Sequence, residues 1–269
     1  MLPTMPRRRF LACAGTTALI PAALVHGSDA TMPTAPDRPY IPAQDPEVVR
    51  QIVGVSHRDL DAVKRLIERQ PALVNAGYDW GFGDWESPID AASHVGNTEI
   101  ALFLIERGAR PTIFTLAMLG HLDAVKAMVA ACPGIQRTRG PHGITLLAHA
   151  NAGGDQPTID YLVSLGDADP TYPGARLTPE TAGPYLGVYA FGPHETDRFE
   201  IAHEKDRVNF RKAGGTNRFL FAVEPAQPHT FHPTGAPAVR IVFEMDGGVA
   251  RAMTVADPDI YLTAERISG

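Results

Sequence analysis

Residues 87–111, SPIDAASHVGNTEIALFLIERGARP, decide how the first half of this 269-residue chain folds. They predict a helix, a tight turn, a second helix and a loop. Ser87 can cap the first helix, Pro88 suits its first turn, and Gly96 ends it. The second helix, at about residues 98–107, has an apolar side and is followed by a glycine. Neither helix can bury its apolar side alone, so the segment needs neighbours of the same kind.

Such neighbours are present in the sequence. The stretch LDAVKRLI, residues 60–67, recurs as LDAVKAMV at residues 122–129, a distance of two similar units. Residues 87–111 resemble an ankyrin repeat, although Asp90 and Asn97 replace the two histidines of that motif. The matching positions are Ser87, Pro88, Ile89, Ala92, Gly96, Ile100, Leu104, Gly108, Ala109 and Pro111. The resemblance implies an α-solenoid of about four repeats over residues 47–170, a fold that binds a protein partner through its finger loops and concave face.

The N-terminus predicts export. Arg7 and Arg8 begin the pattern R-R-x-F-L, which is followed by an apolar run over residues 11–25 and by small residues up to Ala30. This order is typical of a twin-arginine signal peptide over residues 1–30. The apolar run is too short for a membrane span, which needs about 20 residues. We therefore expect a periplasmic or secreted protein with no membrane span after cleavage.

A proline-rich linker is predicted over residues 31–46. The chain has 24 basic and 30 acidic residues, and removal of residues 1–30 would take away three arginines and one aspartate. The net charge would then change from −6 to −8. This acidic balance and the lack of a concentrated basic stretch argue against nucleic acid as a partner. Cys132 would be the one mature cysteine, so no internal disulfide is expected.

After a second linker at residues 171–176, the sequence changes to alternating apolar and polar residues. Seven stretches predict the strands of a meander, and MDGG at residues 245–248 is a hairpin signal. Residues 177–269 therefore predict a small antiparallel β-barrel or curved β-sheet. Tyr185, Gly187 and Tyr189 form the spacing Y-x-G-x-Y, followed by strands rich in aromatic residues. This pattern resembles the lipocalin-like domain appended to bacterial β-lactamase-type proteins, and the resemblance implies an accessory role. The predicted fold class is α+β, with two domains.

The most promising binding segment is YDWGFGDW, residues 78–85, which we call the finger segment. It contains both tryptophans, and exposed aromatic side chains are frequent in protein hot spots. We expect Trp80 to be the more exposed of the two tryptophans, and residues 137–142 to add basic contacts. The residues predicted to bind a partner are Tyr78, Asp79, Trp80, Phe82, Asp84, Trp85, Arg137, Arg139 and His142.

No catalytic residue, cofactor or metal ligand is predicted, because the sequence contains no S-x-x-K, G-x-S-x-G or phosphate-loop motif. The predicted function is therefore an exported, non-enzymatic module that binds a protein partner of unknown identity. Two alternatives stay open. One is a small apolar ligand held in the β domain, and the other is a hydrolase with His229, His232 and Glu244 at the domain interface.

Overall fold

The computed structural model describes residues 43–223, 225–257 and 260–268, so the predicted signal peptide lies outside the described residues. Residues 44–269 form one compact unit. Its first half is helical, with helices α1 (Pro46–Val55), α2 (Leu60–Arg69), α3 (Pro88–His94), α4 (Thr98–Glu106), α5 (Ile113–Met118), α6 (Leu122–Ala131), α7 (Leu146–Gly153) and α8 (Gln156–Leu165). None of the described helices has the length and apolar character that a membrane crossing requires.

Local signals in the sequence set the ends of these helices. Ser87 and Asp90 form a reciprocal capping box at the start of α3, and the side chain of Thr145 caps α7. Gly96 and Gly108 adopt left-handed backbone conformations, with φ of 74° and 92°, just after α3 and α4. The helices therefore form short hairpins whose apolar sides share a core.

The prediction of an ankyrin-repeat solenoid is wrong. The first helices of the four hairpins have 10, 7, 6 and 8 residues, so the units are unequal. The connections differ as well: a strand pair follows α2, six residues join α4 to α5, and short 3₁₀ turns follow α6. The local helix-turn-helix signal was correct, but it does not determine a regular array. The coarser α+β layout is compatible with the structure, except that two short strands lie among the helices.

These two strands are β1 (Tyr78–Asp79) and β2 (Trp85–Glu86), which pair with each other. The second half of the chain forms one sheet of eight strands, namely β3 (Gly187–Ala190), β4 (Arg198–Glu204), β5 (Arg207–Lys212), β6 (Leu220–Ala222), β7 (Thr230–Pro233), β8 (Arg240–Asp246), β9 (Val249–Asp257) and β10 (Ile260–Ser268). The strand order is β5-β4-β3-β10-β9-β8-β7-β6, and all neighbouring pairs are antiparallel.

This order corrects the predicted seven-strand meander. The sequence analysis omitted β10, which lies between β3 and β9 and joins the two halves of the sheet. A bridge between Phe210 and Arg218 brings β5 close to the residues before β6, so the sheet is a nearly closed, barrel-like layer. The hairpin expected at residues 245–248 is present, with Gly247 and Gly248 at φ of 57° and 87° between β8 and β9.

Contacts between the helical half and the sheet are close. The hydroxyl of Tyr172 accepts a hydrogen bond of 2.8 Å from the backbone NH of Gly235. Gly143, at φ of 72°, lies against the same hydroxyl, and a Cβ atom at this position would be 2.2 Å from it. Only glycine fits this position without a shift of the Tyr172 side chain.

Candidate functional site

The finger segment bends back onto the sheet. β1 and β2 carry its ends, and Gly81, Phe82 and Gly83 all adopt positive φ at its tip. Phe82 packs against the hydrophobic core of the sheet, and Trp80 is half-buried against the helical core. Trp85 is 61% exposed. The exposure of the two tryptophans is therefore the reverse of our expectation.

Asp84 and Arg218 attach the finger segment to the sheet. Both side chains are buried, and an Arg218 guanidinium nitrogen (Nη2) lies 2.9 Å from Asp84 Oδ2. Arg218 also donates hydrogen bonds to the carbonyls of Gly81, at 3.1 Å, and Thr234, at 2.9 Å. The backbone NH of His142 donates to Asp84 Oδ1 at 2.7 Å. These bonds fix the tip of the finger segment.

The charge state of Asp84 follows from these partners. Burial alone would raise the pKa of this carboxyl, but the hydrogen bonds from His142 and the positive charge of Arg218 lower it below its ordinary value. Asp84 is therefore an anion that holds together three separate segments of the chain.

A cavity of about 300 Å³ lies between the finger segment and the sheet. Its aromatic lining residues are Trp80, Phe82, Phe191, Phe199 and Phe210. Phe199 and Phe210 are stacked with ring centroids 5.4 Å apart. Val255 and Leu262 complete the apolar wall, and Lys212, Arg218 and Asp257 are the charged groups that line it. The volume is at the lower end of the range of about 300–1,000 Å³ for small-molecule sites.

Thr216 is an uncharged polar residue in the lining of this cavity. Its Oγ1 atom is buried without a hydrogen-bond partner among the residues that the structure describes. A buried hydroxyl that lacks a partner costs about 1–3 kcal/mol. Because water does not reach this atom, a hydroxyl or carbonyl group of a ligand would pair with it after a rotation of the Thr216 side chain toward the cavity.

Four further side chains meet behind the finger segment. Glu86 is fully buried, and its Oε1 lies 2.8 Å from His94 Nε2, 3.4 Å from His142 Nε2 and 3.6 Å from His57 Nε2. The Nε2 atoms of His57 and His94 are 3.0 Å apart. One ligand-type atom from each residue lies within 4.8 Å of all the others, so these four could hold a metal ion. We call them the histidine cluster.

The groups in the histidine cluster perturb one another. Burial alone would raise the pKa of Glu86, but hydrogen bonds from His142 and His94 lower it to about 2. Burial alone would lower the pKa of His142, but contacts with Asp84 and Glu86 raise it to about 9. The cluster therefore concentrates strong electrostatic interactions in a site that water reaches poorly.

The other predicted partner-binding residues are divided between internal contacts and the surface. Arg139 donates a hydrogen bond of 2.8 Å to the Gly143 carbonyl and lies over the Tyr172 ring, so it is used internally. Arg137 forms an exposed ion pair of 3.6 Å with Asp167. Tyr78 packs edge-on against Trp80. Of the nine residues, Asp79, Trp85 and Arg137 are the exposed ones.

The residues of the hydrolase alternative have separate partners. His229 Nδ1 lies 2.9 Å from the Tyr185 hydroxyl, and His232 stacks on Phe221. Glu244 pairs with Arg251 on the surface. The contacts of the described residues do not join these three groups to one another, and His232 Nε2 is buried without a hydrogen-bond partner among them.

The sequence analysis missed the histidine cluster and Thr216. The four residues of the cluster come from separate segments, so their spacing matches no metal motif. One available signal was the position of His57 and His94 just at the ends of α1 and α3, which are neighbouring helices.

No family model matches this chain, and no curated protein matches it significantly.

Proposed function

We propose that the chain is an exported binding protein for a small aromatic molecule with one polar group, held in the cavity between the finger segment and the sheet. The aromatic lining, together with the unpartnered Thr216 hydroxyl, carries this proposal. Aromatic ligands gain from edge-to-face and offset contacts with aromatic side chains. A cavity of about 300 Å³ corresponds to the liquid volume of about ten water molecules, at ~30 Å³ each. A substituted phenol is therefore the chemical class that fits.

One part of the cavity wall is held by contacts within the protein. Arg218 lies over the Phe82 ring, with 5.7 Å from guanidinium to ring centroid, and is itself held by Asp84. A wall fixed in this way reduces the entropy lost on binding. The export of the protein remains a proposal supported by Arg7, Arg8 and the apolar run that follows them.

Two matched ligands test this function. We would titrate the protein with 4-propylphenol and with its methyl ether, 4-propylanisole, and measure both affinities by calorimetry. The phenol should bind more tightly, because its hydroxyl can donate a hydrogen bond to Thr216. In a Thr216→Val variant, the affinity for the phenol should fall about five- to tenfold, the value of one hydrogen bond of about 1 kcal/mol, while the affinity for the ether should change little.

Two controls complete the test. Leu262→Phe narrows the cavity and should lower the affinity for both ligands. In a Trp85→Phe variant, Trp80 is the one remaining tryptophan, so a change in its fluorescence on titration would place the ligand near the finger segment. If Leu262→Phe binds each of the two ligands as tightly as the wild-type protein does, the cavity proposal is contradicted.

A second candidate is recognition of a protein partner through Trp85, which is supported by its 61% exposure. Large exposed tryptophans are frequent in interface hot spots. Trp85→Ala should remove a specific cross-link to a periplasmic protein. Leu102→Ala, which changes another exposed apolar residue on α4, should leave the cross-link intact.

A further inference from the structure

The atoms of the histidine cluster are spaced like the ligands of a tetrahedral metal ion. Zinc bonds to histidine nitrogen and carboxylate oxygen are about 2.0–2.1 Å long, which places tetrahedral ligands ~3.3 Å apart. In this structure, Glu86 Oε1 lies at 2.8, 3.4 and 3.6 Å from the three Nε2 atoms, and the nearest nitrogen pair is 3.0 Å apart. All four atoms lie within 4.8 Å of one another, so the widest pair would have to approach by up to about 1.5 Å for the four to surround one ion.

The groups behind the ligands orient them correctly. His57 Nδ1 lies 3.2 and 3.1 Å from the carbonyls of Val53 and Gly54, which can only accept a hydrogen bond. The proton of a neutral His57 is therefore on Nδ1, and the Nε2 lone pair faces Glu86. Fixing the ring through its second nitrogen is how proteins position histidine ligands of metals.

His142 and Glu86 are oriented in the same way. His142 Nδ1 is 2.9 Å from Asp84 Oδ2, a carboxylate–histidine arrangement that points Nε2 into the cluster. The second oxygen of Glu86 accepts a hydrogen bond of 2.7 Å from the indole NH of Trp80, which leaves Oε1 free to face the ion. The Asp84 contact increases the basicity of His142 as a ligand, and the Trp80 contact fixes the orientation of the Glu86 carboxylate.

We propose that His57, Glu86, His94 and His142 bind one divalent transition-metal ion of the zinc type. Three imidazoles and one carboxylate suit zinc, cobalt, nickel or copper, whereas calcium and magnesium prefer sites made of oxygen ligands. With neutral histidines, the charges of Glu86 and Asp84 exceed that of Arg218 by one negative charge, which favours a cation. The ion replaces the protons that otherwise lie between the imidazoles and the carboxylate.

The site has an entrance from solvent. The side chains of His57 and His142 are 26% and 23% exposed, while Glu86 lies at the closed end. Four protein ligands complete a tetrahedron, an arrangement typical of structural zinc sites. The ion would join the end of α1, β2, the end of α3 and the loop that carries His142. Because Glu86 binds Trp80, this ion would also support one wall of the cavity described above.

The test uses the full chain, freed of metal with a chelator and then titrated with zinc by calorimetry. We expect one ion to bind per chain, and an increase in melting temperature of about 5–10 °C at a zinc concentration 100 times the dissociation constant. Titration with cobalt(II) should give the strong visible absorption of a tetrahedral ion. This spectrum reports coordination itself and does not depend on ligand binding in the cavity.

Variants separate this site from adventitious binding. His57→Gln changes the most exposed ligand and should keep the fold, as checked by circular dichroism, while it lowers zinc affinity at least tenfold. His142→Gln should act in the same way. The control is His121→Gln, because His121 is exposed at the start of α6 and outside the cluster. It should bind zinc like the wild type.

The proposal is overturned if the folded wild type binds no stoichiometric zinc and its melting temperature is the same with and without chelator. That result would mean that the cluster is a network of proton-mediated contacts. It is also overturned if His57→Gln and His142→Gln bind zinc as tightly as His121→Gln does.

Discussion

Replacing Arg218 by methionine should destabilise the protein more than any change of a surface charge. The Arg218 and Asp84 side chains are 5% and 3% exposed and lie 2.9 Å apart, so the variant leaves a buried carboxylate without its cation. Removal of one partner from a buried pair typically costs about 3–5 kcal/mol. Because two hydrogen bonds from His142 still reach Asp84, we expect the lower value, about 3 kcal/mol.

Urea denaturation, followed by circular dichroism, measures this loss in the free energy of unfolding. The matched control is Arg211→Met, which removes partly exposed ion pairs of 2.6 Å to Glu200 and 3.0 Å to Glu204. Surface pairs contribute at most about 1 kcal/mol each, so the control should change stability by less than about 2 kcal/mol. If Arg218→Met costs no more than Arg211→Met, the buried pair does not hold the finger segment to the sheet.

Three further predictions address the fold, its pH dependence and its export. Gly143→Ala should cost about 1–3 kcal/mol, because Gly143 has φ of 72° and a Cβ atom there would be 2.2 Å from a hydroxyl oxygen. Gly154→Ala, with φ of 80° and open space, should cost less, and equal losses in urea would contradict this reasoning. Burial lowers the pKa of His149 to about 4, so the unfolded chain binds a proton below about pH 6.5 that the folded chain does not bind. The free energy of unfolding should therefore fall by up to about 3 kcal/mol between pH 6.5 and pH 4. His149→Gln should reduce this fall when urea denaturation curves are compared across that range. If the variant has the same pH dependence as the wild type, His149 is not its source. Replacement of both Arg7 and Arg8 by lysine should leave the precursor in the cytoplasm on cell fractionation, whereas continued export would argue against the twin-arginine pathway.

Much of the local structure could be predicted from the sequence, because it depends on nearby residues. Ser87 and Asp90 form a capping box at the start of α3, Pro88 lies in its first turn, and all three are within four positions of one another. The two glycines after Asp246 determine the turn between β8 and β9 in the same way. The alternation of apolar and polar residues predicted seven of the eight strands of the large sheet.

Global arrangement could not be predicted in this way. The helical hairpins suggested equal repeats, but the lengths of helices and connections depend on packing between segments, which short motifs do not encode. The position of β10 between β3 and β9 depends on pairing with strands far away in sequence. Short stretches of the sequence contain no pattern that indicates which distant strands pair.

The candidate sites were missed for the same reason. Trp80 and Phe82 were predicted to face a partner, because exposed aromatic residues in a loop often do so. Their actual contacts depend on Arg218, which lies more than 130 residues later in the chain. His57 and His142 are likewise brought together by the packing of several segments, and no spacing in the sequence relates them.

A crystal structure of the protein with bound 4-propylphenol tests the central proposal most directly. We expect the aromatic ring between Phe82 and Phe210, with its hydroxyl oxygen within hydrogen-bond distance of Thr216 Oγ1. An empty cavity at saturating ligand, or a ligand bound elsewhere on the molecule, would contradict the proposed function.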